Sequence, residues 1–303
     1  AKNCAVIKTF EDTVIKEVSA EYNLPDYLPD VSRILRADAG VCRAGKYING
    51  SSLEYDGSVT FSVIYSTADG IIKAADFSSD YSGSVTIGDF SGDCSVDADT
   101  ELDSVTVRLQ NPRKLTAKAK IAVTVTINCL NCASPAVTGV AGGGDGIMCR
   151  TENIDCCFGI EAQDADVSVS EDISLAAPLP AAEEVVSVYL EPYLSEMKAG
   201  DGVINYKGNV IANIIYSAAN DDPAAPKTYV SIVRKIFISG EAIADGVTEG
   251  CLVAGNICIT NTEFRKAADE TGEDRTIEID FSYSAYFDAY KNVLSEITTD
   301  MYS

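Results

Sequence analysis

The sequence predicts an all-β protein: two related antiparallel β-sandwich or barrel-like modules in tandem. Three observations predict it. Residues 55–70, YDGSVTFSVIYSTADG, recur as residues 206–221, YKGNVIANIIYSAAND, with seven of the sixteen positions identical. The offset is a constant 151, half of the 303-residue chain, which is the signature of a duplicated unit. The best-patterned stretches alternate apolar and polar residues with period two, the period of a strand with one buried face. Finally, the length suits about two domains, and each half is long enough to bury a core of its own.

Residues 4–22 alternate loosely and read as a strand or two. In LPDYLPDVSRILR, residues 24–36, Pro25 and Pro29 remove backbone donors and favour extended geometry. The stretch reads as a rigid loop feeding a short strand or helical turn. In residues 58–65, Val59, Phe61, Val63 and Tyr65 share one face, and the second copy repeats it with Val210, Ala212, Ile214 and Tyr216. The duplication thus preserves inward parity, which a one-residue slip would invert. Residues 104–110 and 115–127 form a predicted hairpin around Asn111-Pro112-Arg113-Lys114. Its counterpart in the second half is residues 275–287, after the acidic turn ADETGEDR. Residues 288–303 carry only a weak stripe and read as a short helix or an extended tail. The expected division is a first module at 1–132, a Gly/Ala-rich linker at 133–155 bracketed by cysteines, and a second, diverged module at 156–303.

Composition narrows the function. Twenty-three basic against forty-six acidic residues give a net charge of −23, which repels nucleic acid and anionic membranes. No run of about 18 apolar residues provides a membrane-spanning helix. Histidine is absent, which excludes Ser-His-Asp and Cys-His catalysis and removes the usual imidazole metal ligand. The start AKNCAVIKTF shows no charged region followed by an apolar one, so synthesis without a visible signal peptide is expected.

The run LPDYLPDVSRILRADAGV, followed by YDGSVTFSVIY, resembles the SPOCS domain of spore-coat and spore-envelope morphogenesis proteins of clostridia and their relatives. The resemblance spans roughly residues 10–128, and residues 160–288 look like a diverged copy. There Leu179-Pro180 keeps the place of Leu28-Pro29, whereas Pro25, Asp26 and Asp30 have no equivalents. The resemblance implies β-rich structural modules made in the mother cell, and it brings no catalytic residues.

Ten cysteines are the remaining chemistry. Cys129-x-x-Cys132 with Cys156-Cys157 has the wrong spacing for common zinc ribbons and lacks the βαβ setting of a redox C-x-x-C. Cys4, Cys42, Cys94, Cys129, Cys132, Cys149, Cys156 and Cys157 are therefore disulfide or cross-link candidates, while Cys251 and Cys258 read as small buried residues that stay reduced. Asp97, Asp99, Glu101 and Asp103 alternate on one strand face, read as solvated, and fail the EF-hand pattern. No catalytic residue, cofactor or metal is expected.

These readings lead to a non-enzymatic subunit that polymerises with copies of itself at the spore surface. Disulfides and β-strand addition through residues 1–15, with Cys4 as lock, would hold it. Other spore-envelope proteins are further expected partners. The alternative is a monomeric scaffold that recruits an envelope protein or glycan through Leu24, Pro25, Asp26, Tyr27, Leu28, Pro29 and Asp30.

Overall fold

The computed structural model describes the backbone of residues 3–43, 45–87, 94–133, 148–220, 222 and 225–302. Side chains are described for the same residues except 3–9, 94–95, 128–133, 148–158 and 291–302. Every regular element among them is a β-strand. The first half holds β1 (Asn3–Asn23), β2 (Arg33–Val41), β3 (Gly45–Asn49), β4 (Ser52–Ser66), β5 (Ile72–Thr86), β6 (Cys94–Asn111) and β7 (Lys114–Ala133). The second holds β8 (Met148–Ser174), β9 (Ala182–Ala199), β10 (Val203–Ala218), β11 (Tyr229–Ile243), β12 (Leu252–Ala267) and β13 (Thr276–Tyr302).

Each half stacks two antiparallel sheets. In the first, β1-β7-β6 faces a sheet in which β4 lies between β5 and the pair β2 and β3. In the second, β8-β13-β12 faces β9-β10-β11. The two strand orders are the same once β9 is set against β2 and β3. The repeated sequence forms β4 and β10, the central strands, because their inward residues must be apolar along the whole strand. Val59, Phe61, Val63, Tyr65, Val210, Ala212, Ile214 and Tyr216 are all fully buried, as the alternation predicts. The opposing central strands β7 and β13 supply Leu115, Ala117, Ala119, Ile121, Val123, Val125 and Ile127, and Ile277, Ile279, Phe281, Tyr283, Ala285 and Phe287. The core clusters draw their residues from one half or the other, so each half has its own interior.

Three expectations change. Residues 148–155 of the predicted linker are strand, because they pair with the end of β13; residues 134–147 lie outside the described residues. The C-terminal stretch is neither helix nor tail but the last half of β13. Residues 3–15 are already paired along β7 of their own chain, so they are an integral edge strand rather than a free segment.

Candidate functional site

Two places gather the residues that the sequence singled out. The first is the LPDYLPDV loop, which joins β1 to β2 across the end of the sandwich. Leu24 and Val31 are buried there and anchor it to the core. The Leu24 N–H donates to the Arg113 carbonyl (2.9 Å) and the Val31 N–H to the Pro112 carbonyl (2.7 Å), so the loop is stitched to the β6–β7 turn. Arg113 closes the stitch from that turn: its guanidinium donates to the carbonyls of Leu24 (3.1 Å), Pro25 (2.8 Å) and Leu28 (3.1 Å) and to Asp30 (2.8 Å). The planar fork of arginine suits several carbonyls at once. Tyr65, at the end of β4, donates its hydroxyl to the Pro29 carbonyl (3.2 Å).

The second half repeats this closure: its loop and Tyr216 keep the 151-residue offset, while the turn that carries Arg275 lies further along the chain. Leu175 N–H donates to the Arg275 carbonyl (2.8 Å) and Ala182 N–H to Asp274 (2.8 Å). Arg275 donates to the carbonyls of Leu175 (3.0 Å) and Leu179 (2.9 Å), and Tyr216 donates to Pro180 (3.2 Å). The motif residues kept in both copies are therefore those that seal the sandwich. Those lost in the second copy include Asp26 and Tyr27, and Tyr27 is 82% exposed. Arg113 and Arg275 were not singled out as functional in the sequence; the signal was an arginine placed in each copy's turn before the longest alternating strand. Arg113→Ala is expected to lower stability by about 2 kcal/mol, because the carbonyls lose a charged donor. Arg113→Lys should recover only part of it, as thermal melts would show.

The second place is a seam between the halves. Cys42, just after β2, is disulfide-bonded to Cys258 on β12, with Cα atoms 5.4 Å apart and a sequence separation of 216. Cys258 is buried, as expected, but not reduced: it sits on an edge strand facing the other half. Cys251 is free and buried. Beside the disulfide, Arg43 bonds Asp97 of its own half and reaches Asp288 of the other (3.5 Å), with its guanidinium 5.9 Å from the Tyr286 ring centroid. Lys46 bonds Glu161 (2.7 Å), Lys73 bonds Glu184 (2.5 Å), and the Ile72 N–H donates to the Tyr229 hydroxyl (2.7 Å). Arg36 lies over Tyr189 at 5.4 Å. Asp97 therefore works in the seam instead of lining a solvated face, and a bulge after Leu102 takes Asp103 out of the alternation. Cavities of about 580 Å³ around Arg43, Lys46 and Glu161 and about 450 Å³ between Cys42, Thr60, Tyr189 and Pro192 lie along the same line. Cys42→Ser is expected to cost about 2–4 kcal/mol in oxidised protein and nothing under reductant, since the bond restricts a long unfolded loop. Melts with and without reductant check it.

The other cysteines are described by backbone alone. Cys4 on β1 is the register partner of Cys132 on β7, and Cys94 on β6 is the partner of Cys129 on β7. Cys149, Cys156 and Cys157 lie on β8. Compared with known proteins, the chain matches no protein-family model, no curated protein and no solved structure.

Proposed function

We propose that this protein is a structural subunit that polymerises with copies of itself into a fibre or layer at the spore surface. The observation that carries the reading is the shape of its sheets. Among the described residues all four end in long edge strands, β1, β8 and β11 among them, on two halves that the seam locks together. Open edges present unpaired N–H and C=O groups, the natural template for joining another chain. One of them, β11, also bears exposed Val233, Phe237 and Ile243. The resemblance to spore-envelope modules supplies the location. Disulfides between subunits would then make the polymer resistant to dissociation. Each forms when two thiols pass two protons and two electrons to a low-molecular-weight disulfide, which leaves as two thiols.

A second reading keeps the exposed Asp26 and Tyr27 as the contact of a monomeric scaffold with an envelope protein or glycan. Electron microscopy of the purified protein, with and without reductant and beside a non-reducing gel, decides. Polymers with oxidant-dependent ladders are the expected result. A solitary monomer at high concentration under oxidising conditions refutes the first reading.

A further inference from the structure

The sheet β12-β13-β8 is uneven. The β12 ladder on β13 stops at Leu252–Tyr290, whereas the β8 ladder continues to Met148–Tyr302. β13 therefore runs twelve residues beyond its third strand, as a two-stranded ribbon with β8 about 40 Å long. Among the described residues the first half has no such extension: β6 follows β7 to Cys129, four residues from the end of β7 at Ala133. A two-stranded ribbon is marginal in water on its own, and a third strand is what ordinarily completes it.

The sequence of the ribbon suits pairing. Residues 291–302, KNVLSEITTDMY, hold three charges, no proline, and the strand-favouring Val293, Ile297, Thr298, Thr299 and Tyr302. Edges that avoid pairing carry more charge, proline or a covering element. Among the described residues no strand pairs with this edge of β13. On the opposite edge of the same ribbon, residues 148–158 of β8, of matching length, likewise pair with no second strand among the described residues.

We propose that residues 291–302 of one copy pair with residues 148–158 of the next, so that the ribbons join into a continuous sheet. This deepens the polymerisation reading and rests on it. The two edges differ, so the contact is head-to-tail and does not close, which yields a fibre rather than a dimer. It also brings Cys149, Cys156 and Cys157 to the joint.

Proline scanning tests it. On a strand paired antiparallel, residues of one parity direct their N–H and C=O to one neighbour and those of the other parity to the opposite side. Of the two variants Ser295→Pro/Ile297→Pro and Leu294→Pro/Glu296→Pro, one removes donors from the β8 ladder and the other only from the open edge. The variant that keeps the wild-type melting temperature is expected to raise the critical concentration for fibres about tenfold or more, having lost two intersubunit hydrogen bonds. Fibres from it at the wild-type concentration overturn the proposal. Should both variants melt early, a chain ended at Tyr290 decides: a folded monomer supports the proposal, and fibres overturn it. Wild-type protein that forms no fibres refutes the polymerisation reading itself.

Discussion

Arg43→Ala is expected to lower stability by about 3–5 kcal/mol, and to do so by opening the seam rather than by melting either half. The Arg43 side chain is only 10% exposed and lies between Asp97 and Asp288, carboxylates of different halves. Truncating it leaves those acids, with Glu161 beside them, facing one another with Lys46 as the nearby cation. Because each half keeps a separate interior, the reduced variant should show two calorimetric transitions where the wild type shows one. A single transition with a loss below about 1 kcal/mol would count against this account of the seam. Asp288 gives the pH side of the same argument. Burial pushes its carboxyl above the ordinary aspartate value of 3.8; Arg43 opposes the shift, and Asp97 and Glu161 add to it. A carboxyl raised in the folded state contributes stability below its unfolded value, and that contribution is lost as pH rises through the folded value. Asp288→Asn should therefore melt higher than the wild type at pH 7, with the difference vanishing toward pH 3. In the Arg43→Ala background the same substitution should restore part of the loss.

What could be read from the sequence follows from how far each signal reaches. The central strands were legible because burial on one face imposes local alternation, visible from Val59 to Tyr65 and from Ile277 to Phe287. Duplication gave the halves, since a constant offset of 151 survives divergence of most side chains. The last part of β13 was not legible: past Tyr290 the ladder loses its third strand, and with it the demand for a strict apolar face. The seam was also hidden. Cys42 and Cys258 are 216 residues apart, and nothing near Cys258 distinguishes a bonded edge cysteine from a small buried one. The LPDYLPDV run reads as a rigid loop, and Leu24, Leu28, Pro29 and Val31 serve that closure, because a loop crossing the end of a sandwich must anchor its backbone as well as its side chains. Asp26 also lies 3.8 Å from the Arg113 guanidinium, so Tyr27, 82% exposed, is what that structural work leaves over.

Gly240→Val is expected to be among the most damaging single changes, costing about 3 kcal/mol. Gly240 on β11 is the register partner of Tyr206 on β10, as Gly83 on β5 is of Tyr55 on β4. In both halves the tyrosine ring lies over the glycine, and a Cβ there would meet the hydroxyl oxygen at 2.2 Å in the second half and 2.3 Å in the first. Tyr55 and Tyr206 are identical positions of the repeat, so the duplicated unit carries the need for a glycine on the neighbouring strand. The halves should nevertheless respond unequally. The Tyr206 hydroxyl donates to Asp164 (2.6 Å) and lies 3.1 Å from the Tyr283 hydroxyl, joining both sheets of its sandwich. Displacing that ring breaks the bond to the Asp164 carboxylate, a charged partner whose loss adds to the steric cost. Gly83→Val should therefore cost less than Gly240→Val, and Tyr206→Phe alone should lower stability by about 1–3 kcal/mol. Chemical denaturation of the reduced, monomeric protein would rank the three. Equal effects of the two glycine changes would show that the ring's position over the glycine, and not its hydroxyl network, is what the second half depends on.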